Sequence, residues 1–219
     1  NETGVIQDIA AIATLVKNAS GILLTDAAQS AGRLDWPDAD AVTVSAHKFR
    51  GPPGVGALIL RNDRLLRATG GQERGLRGGT ENLPAILGFA AAVDALQDWT
   101  AATAPLRGQL EQGVIASGGV VVASASPKVP WISALHMPGV PAATQLMHFD
   151  LAGIAVSAGS ACSSGSMKSS HVLAAMGLAP DVAGEVIRVS LSPQTSADEI
   201  ERFLEAWRAL YDKTREKAA

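Results

Sequence analysis

Gly21-Ile-Leu-Leu-Thr-Asp-Ala-Ala-Gln-Ser30 opens as a short apolar run and closes on polar and small residues. A run of this length reads as a buried strand over residues 21–25 that ends at Asp26. Upstream, Ile6, Ile9, Ile12, Leu15 and Val16 recur at helical spacing, which makes a helix–strand unit. Downstream, residues 41–45 read as a second strand leading into Ala46-His47-Lys48. After the turn Gly51-Pro-Pro-Gly54, a third strand is expected over residues 55–60. Polar residues follow the strand ends, and in open α/β sheets ligands collect beyond the carboxyl ends of the strands.

Gly70-Gly-Gln-Glu-Arg-Gly-Leu-Arg-Gly-Gly-Thr80 is too glycine-rich and too charged for a helix or strand interior, so a long shaped loop is expected. Pro84 suits the first turn of a helix running to about residue 98 with a broad, buried apolar face. Residues 100–105 turn small and polar and read as a hinge. The chain is therefore divided into 1–100, part of a larger α/β domain with a mainly parallel sheet, and 101–219, a smaller α+β domain. In the latter, helices are expected over residues 106–116 and 142–151, and strands over 120–123, 132–137, 154–156 and 186–191. A last helix follows, with a Ser196/Glu199 capping box and an apolar stripe of Ile200, Phe203, Leu204, Trp207, Leu210 and Tyr211. Its tail beyond Asp212 is expected to fray.

Composition narrows the function classes. The 219 residues are 47% hydrophobic and 18% charged, with a formal net charge of -3, and basic residues form no cluster that would grip nucleic acid or an anionic membrane. Apolar runs are too short to span a bilayer and the start does not resemble a signal peptide, so a cytoplasmic protein is expected. One cysteine makes no internal disulfide, and no Cys/His spacing indicates a metal site. The first residue is Asn1 and a helical pattern follows at once, so the later part of a longer chain is expected.

The strand ends carry the chemistry. Asp26 offers an anion for a ring nitrogen, Lys48 an amine able to form a Schiff base, and Ser45 and His47 donors suited to a phosphate. That is the equipment of a pyridoxal 5'-phosphate site. An adjacent carboxylate keeps the pyridine nitrogen protonated. The single cysteine, Cys162, sits in Ser157-Ala-Gly-Ser-Ala-Cys-Ser-Ser-Gly-Ser166, surroundings too small to build a core. By composition alone a lone cysteine is more often an inert buried residue, so that reading and a reactive thiol on a pliable loop both stay open at this point.

Several motifs, in this order, resemble the cysteine desulfurases of the NifS/IscS type, pyridoxal-phosphate-dependent transferases of fold type I related to the class V aminotransferases. They are Asn1-Glu-Thr-Gly4, Asp26-Ala-Ala-Gln29, Ser45-Ala-His-Lys48 with Gly51-Pro-Pro-Gly54, Gly71-Gln-Glu-Arg-Gly-Leu-Arg77 with Gly79-Thr80, Ser160-Ala-Cys162 and Ile187-Arg-Val-Ser-Leu191. The resemblance implies that Lys48 holds the cofactor, Asp26 pairs with its ring nitrogen and Gln29 bonds its ring hydroxyl. It implies that Ser45 and His47 hold the phosphate, with Thr80 reaching across a homodimer interface, and that Asn1 contacts cofactor and substrate. Arg188 would clamp the substrate carboxylate, and Cys162 would take sulfur from L-cysteine as a persulfide, releasing alanine. A sulfur-acceptor or scaffold protein for iron–sulfur cluster or thiolation chemistry is then implied. The family's first third, with its cofactor-stacking residue, lies upstream of the pattern at Asn1, so a companion chain carrying the missing N-terminal half is a further expectation. Two alternatives stay open: a related enzyme such as a selenocysteine lyase or aminotransferase, and a catalytically silent half serving as a dimer or scaffold partner. His136, His148 and His171 are expected to be structural. Trp131 and Ser133, where relatives carry an asparagine-rich stretch, are expected to bear on substrate approach.

Overall fold

The computed structural model describes residues 1–96, 98–159 and 170–218. They form two compact units, Gln7–Asp98 and Trp99–Ala219 with Asn1–Ile6.

In Gln7–Asp98 the first helix, α1 (Ile9–Asn18), starts where the Asp8 side chain accepts the Ala11 N–H at 2.9 Å. The periodicity that reached back to Ile6 is cut by this cap. Ile6 instead donates its N–H to the Pro127 carbonyl. Strand β1 (Leu24–Asp26) pairs in parallel with β2 (Ala41–Ser45), Asp26 lying opposite Thr43, and β2 pairs antiparallel with β3 (Gly56–Leu60). The order is β1-β2-β3. β1 begins later than the apolar run because the Leu23 backbone is taken up by Asp40, whose side chain accepts the Leu23 N–H at 2.9 Å.

Between β2 and β3 a 3-10 turn, Ala46–Phe49, ends at Arg50 in the left-handed region at φ 65°. Beyond β3, the expected long loop contains a small closed turn in which Gln72 and Arg77 exchange backbone hydrogen bonds. Helix α2 (Leu83–Asp94) is capped by Asn82 and ends short of residue 98. Only Ala85 is buried, and Leu83 and Leu87 are exposed, contrary to the expected buried helix. Its apolar face is wider than a sheet of three short strands can cover. What it does cover is Phe49, whose ring lies 5.5 Å from that of Phe89 in the cluster of Ala27, Ala31, Ala39, Val42 and Val44.

The second unit is α+β. It comprises α3 (Thr100–Ala116), β4 (Val120–Val121), β5 (Ile132–His136), α4 (Ala142–Leu151), β6 (Ser157–Ala158), α5 (His171–Ala175), α6 (Pro180–Ala183), β7 (Val186–Ser190) and α7 (Ala197–Ala218). The sheet, ordered β4-β5-β7-β6, is antiparallel throughout.

Residues 100–105, read from the sequence as a hinge, are helical despite Pro105. Thr103, Leu110 and Val114 bury one stripe of α3, and Thr103 Oγ1 donates to the Thr100 carbonyl at 2.8 Å, so tertiary burial outweighs local propensity. The expected strand at 154–156 is displaced to Ser157–Ala158, because the Ile154 N–H closes the end of α4 on the Phe149 carbonyl at 2.8 Å. The capping box forms as read: Ser196 N–H donates to Glu199 and Glu199 N–H to Ser196. The stripe from Ile200 to Tyr211 is buried, with the Phe203 and Phe149 rings stacked 4.7 Å apart. Rather than fraying after Asp212, α7 continues to Ala218, supported by Thr214 Oγ1 on the Leu210 carbonyl.

Trp131 and Ser133 are buried in this core. Trp131 packs on Trp99, and Ser133 Oγ donates at 2.7 Å to the Glu111 oxygen that also holds the Lys128 ammonium. His136 pairs with Glu185 at 2.7 Å and His148 Nε2 lies 3.0 Å from the Ala206 carbonyl, in line with structural roles. His171 is exposed at the start of α5. No helix among the described residues is long and apolar enough to cross a membrane.

Candidate active site

Parallel strands put their carboxyl ends at one edge, and here that edge gathers five of the sequence-predicted residues. Asp26 is the last residue of β1 and Ser45 the last of β2. The 3-10 turn then presents His47, exposed, and Lys48, half-buried. Gln29, also half-buried, lies in the turn after β1, which folds back through the Ala31 N–H on the Ala27 carbonyl. Asp26 Oδ1 accepts the Ala28 N–H at 2.9 Å, which orients the carboxyl group. Its Oδ2 and the Lys48 ammonium have no hydrogen-bond partner among the described residues. An unengaged carboxylate oxygen, a half-buried amine, a hydroxyl and an imidazole fit the ring nitrogen, carbonyl carbon and phosphate of pyridoxal phosphate. Thr80 is exposed at the end of the glycine-rich loop, beyond the Gly78 and Gly79 carbonyls that accept hydrogen bonds from Arg77.

Asn1 and Arg188 are brought together in the other unit. Arg188, at the middle of β7, donates from Nη1 to the Asn1 carbonyl at 3.1 Å and from Nη2 to Ser157 Oγ at 3.2 Å. Its Nε is buried with no partner among the described residues. A buried guanidinium N–H without an acceptor is costly. Cys162 lies outside the described residues.

Three contributors went unassigned in the sequence. Glu2 is buried, and its carboxylate accepts the Ser170 hydroxyl. Ser170 in turn caps α5 by accepting the Leu173 N–H at 3.0 Å. Glu2 sits inside the quoted Asn1-Glu-Thr-Gly4 motif, which was the one available signal. Ser157 and Arg33 left none, because each acts on a partner far along the chain. The Arg33 Nη2 donates to the Lys48 carbonyl at 2.7 Å. Burial, and then the charge of Arg50, push the Arg33 guanidinium below its ordinary pKa.

The profile of the class-V aminotransferases matches residues 1–203. The chain belongs to the class-V aminotransferase family. Its relatives within that family include the cysteine desulfurase of Cereibacter sphaeroides, 39% identical, in a match covering 98% of this chain and 58% of that protein. Among solved structures, a NifS-like protein superposes with a TM-score of 0.82 at 30% identity, covering 96% of this chain and 58% of the other. SspA in complex with cysteine superposes with a TM-score of 0.69 at 31% identity, covering 89% of this chain and 57% of the other. The resemblance to NifS/IscS-type enzymes is therefore borne out, and the fold is the α/β fold type I of the pyridoxal-phosphate-dependent class-V transferases. The chain spans 58% of the Cereibacter sphaeroides relative it matches.

Proposed function

We propose that this chain carries the cofactor, substrate and sulfur-accepting groups of a cytoplasmic, pyridoxal-phosphate-dependent cysteine desulfurase. The observation that carries the reading is the parallel register of Asp26 with Thr43, which puts the Asp26 carboxylate and the turn bearing Lys48 at the same end of the sheet. When bound, pyridoxal phosphate supplies an electron-withdrawing ring that stabilises negative charge at the carbon of an attached amino acid.

Asp26 offers its second oxygen to the ring nitrogen and Gln29 a donor to the ring hydroxyl. Ser45 and His47 serve the phosphate, together with Thr80 from a second copy in a homodimer. Lys48 attaches the cofactor and then moves the proton of the substrate carbon. Arg188 takes the substrate carboxylate, and Asn1, whose carbonyl accepts the Arg188 Nη1 hydrogen bond, contacts cofactor and substrate. The Cys162 thiolate attacks the sulfur of L-cysteine. An S–S bond forms as the substrate C–S bond breaks, the carbon takes up a proton, and alanine leaves a persulfide on Cys162. That sulfur passes to an acceptor or scaffold protein for iron–sulfur cluster or thiolation chemistry. The desulfurase relatives and the SspA complex with cysteine support this choice of substrate.

The test uses the protein as it exists, together with any chain it binds. Supplied with pyridoxal phosphate and L-cysteine, it should release alanine. Lys48→Ala and Cys162→Ala should each abolish turnover, and mass spectrometry should find the added sulfur on Cys162. Cysteine turnover that survives Cys162→Ala overturns desulfuration and leaves the lyase or aminotransferase alternative. Absence of a covalent cofactor adduct at Lys48 leaves the silent scaffold.

A further inference from the structure

Two turns carry three of the residues assigned to the cofactor, Gln29 in residues 27–34 after β1 and His47 and Lys48 in Ala46–Phe49 after β2, and contacts tie one against the other. Gly32, at φ +72°, lies so close that a Cβ there would come 3.1 Å from the Phe49 ring and 2.7 Å from a Leu96 methyl. Only glycine combines that backbone with that approach. One residue on, the Arg33 guanidinium reaches the Lys48 carbonyl at 2.7 Å. That carbonyl lies at the end of a 3-10 turn closed by the Gly51 N–H on Ala46 and by the left-handed Arg50. Such terminal carbonyls need a donor from elsewhere, and a charged one binds most strongly.

We propose that Arg33 is a positioning residue for Lys48, fixing the backbone from which the lysine amine reaches the cofactor and tying it to the turn that follows Asp26 and carries Gln29. This rests on the cofactor assignment of the preceding subsection. Arg33 touches neither cofactor nor substrate in this reading. It acts through the Lys48 carbonyl, and its removal frees the turn to misplace the amine without unfolding the sheet.

Two readouts test it in Arg33→Met, which keeps the stem and loses the donors, and Arg33→Gln, which keeps a neutral donor. Hydrogen exchange of the amides of residues 46–51 in the cofactor-free protein should quicken about tenfold in Arg33→Met, with other protected amides unchanged. The rate at which added pyridoxal phosphate is trapped on Lys48 by borohydride, read by peptide mass spectrometry, should fall about tenfold or more. Arg33→Gln should recover part of both effects. Unchanged exchange and unchanged trapping in Arg33→Met overturn the proposal, as does a uniform rise in exchange across the unit, which would mark a purely structural residue. A wild-type protein that traps no pyridoxal phosphate on Lys48 overturns the cofactor assignment itself. The exchange comparison then still decides whether Arg33 holds the turn.

Discussion

The two units bury different things. Trp99–Ala219 encloses large side chains, with Trp207, Phe149, Leu110 and Leu135 fully buried, a sheet covered by α3 and α4, and α7 packed on those two helices. Gln7–Asp98 encloses mainly alanine and valine around Phe49, while Leu24 on β1 is 59% and Leu87 on α2 61% exposed. Packing therefore fixes geometry in the first case. In the second, short polar ties do more of that work: Asp26 on Ala28 N–H, Asp40 on Leu23 N–H and Arg33 on the Lys48 carbonyl. Side chains held by hydrogen bonds at a strand end stay presented to a ligand, whereas a packed core has no room for one.

The contrast breaks most directly with a pair of truncations. Phe149→Ala should cost about 3–5 kcal/mol in denaturant unfolding, from lost burial and a residual cavity. Leu24→Ala should stay within about 0.5 kcal/mol, as exposed substitutions do. A Leu24→Ala cost near that of Phe149→Ala would show that the β1 face is covered in solution. Next in size is Glu111→Ala, which strands the ammonium of Lys128, a side chain only 3% exposed, and takes the acceptor from Ser133. A loss of about 3 kcal/mol is expected, and Glu111→Ala combined with Lys128→Met should recover much of it.

Within Gln7–Asp98, Gly56→Ala would put a Cβ 2.5 Å from the Val44 carbonyl, so β3 must shift away from β2. A cost of about 1–3 kcal/mol and faster exchange along β2 and β3 should follow. Ser170→Ala removes the α5 cap and leaves the buried Glu2 carboxylate without its donor, for about 1–2 kcal/mol in thermal unfolding.

The smallest effect is electrostatic. The Arg61 hydrogen bond and charge hold the exposed Asp38 carboxyl below its usual pKa. Its contribution is present above the ordinary carboxylate range and is lost as pH falls through the lowered folded value. Asp38→Asn should thus flatten the acid side of the stability profile slightly and leave the neutral side almost unmoved.

Legibility in the sequence followed chain distance. The Ser196/Glu199 box and the stripe ending at Tyr211 were readable because each partner lies within a few turns of the other. Helix α3 was misjudged at its start, since the burial of Thr103 and the Trp99 contact with Trp131 depend on a strand far along the chain. Helix α2 was misjudged in burial for the opposite reason: periodicity reports an apolar face but not the size of the surface facing it.

By itself the sequence determined which chemistry the strand ends carry, because Asp26, Ser45, His47 and Lys48 follow apolar runs whose period and length are local properties. Tertiary structure alone decided which of these groups meet. The Asp26–Thr43 register, the Arg33 bond to Lys48, and the joining of Arg188 to Asn1 and Ser157 link residues 15 to 187 positions apart. Such pairings are selected by strand register and by the closure of long loops, and no local propensity encodes either.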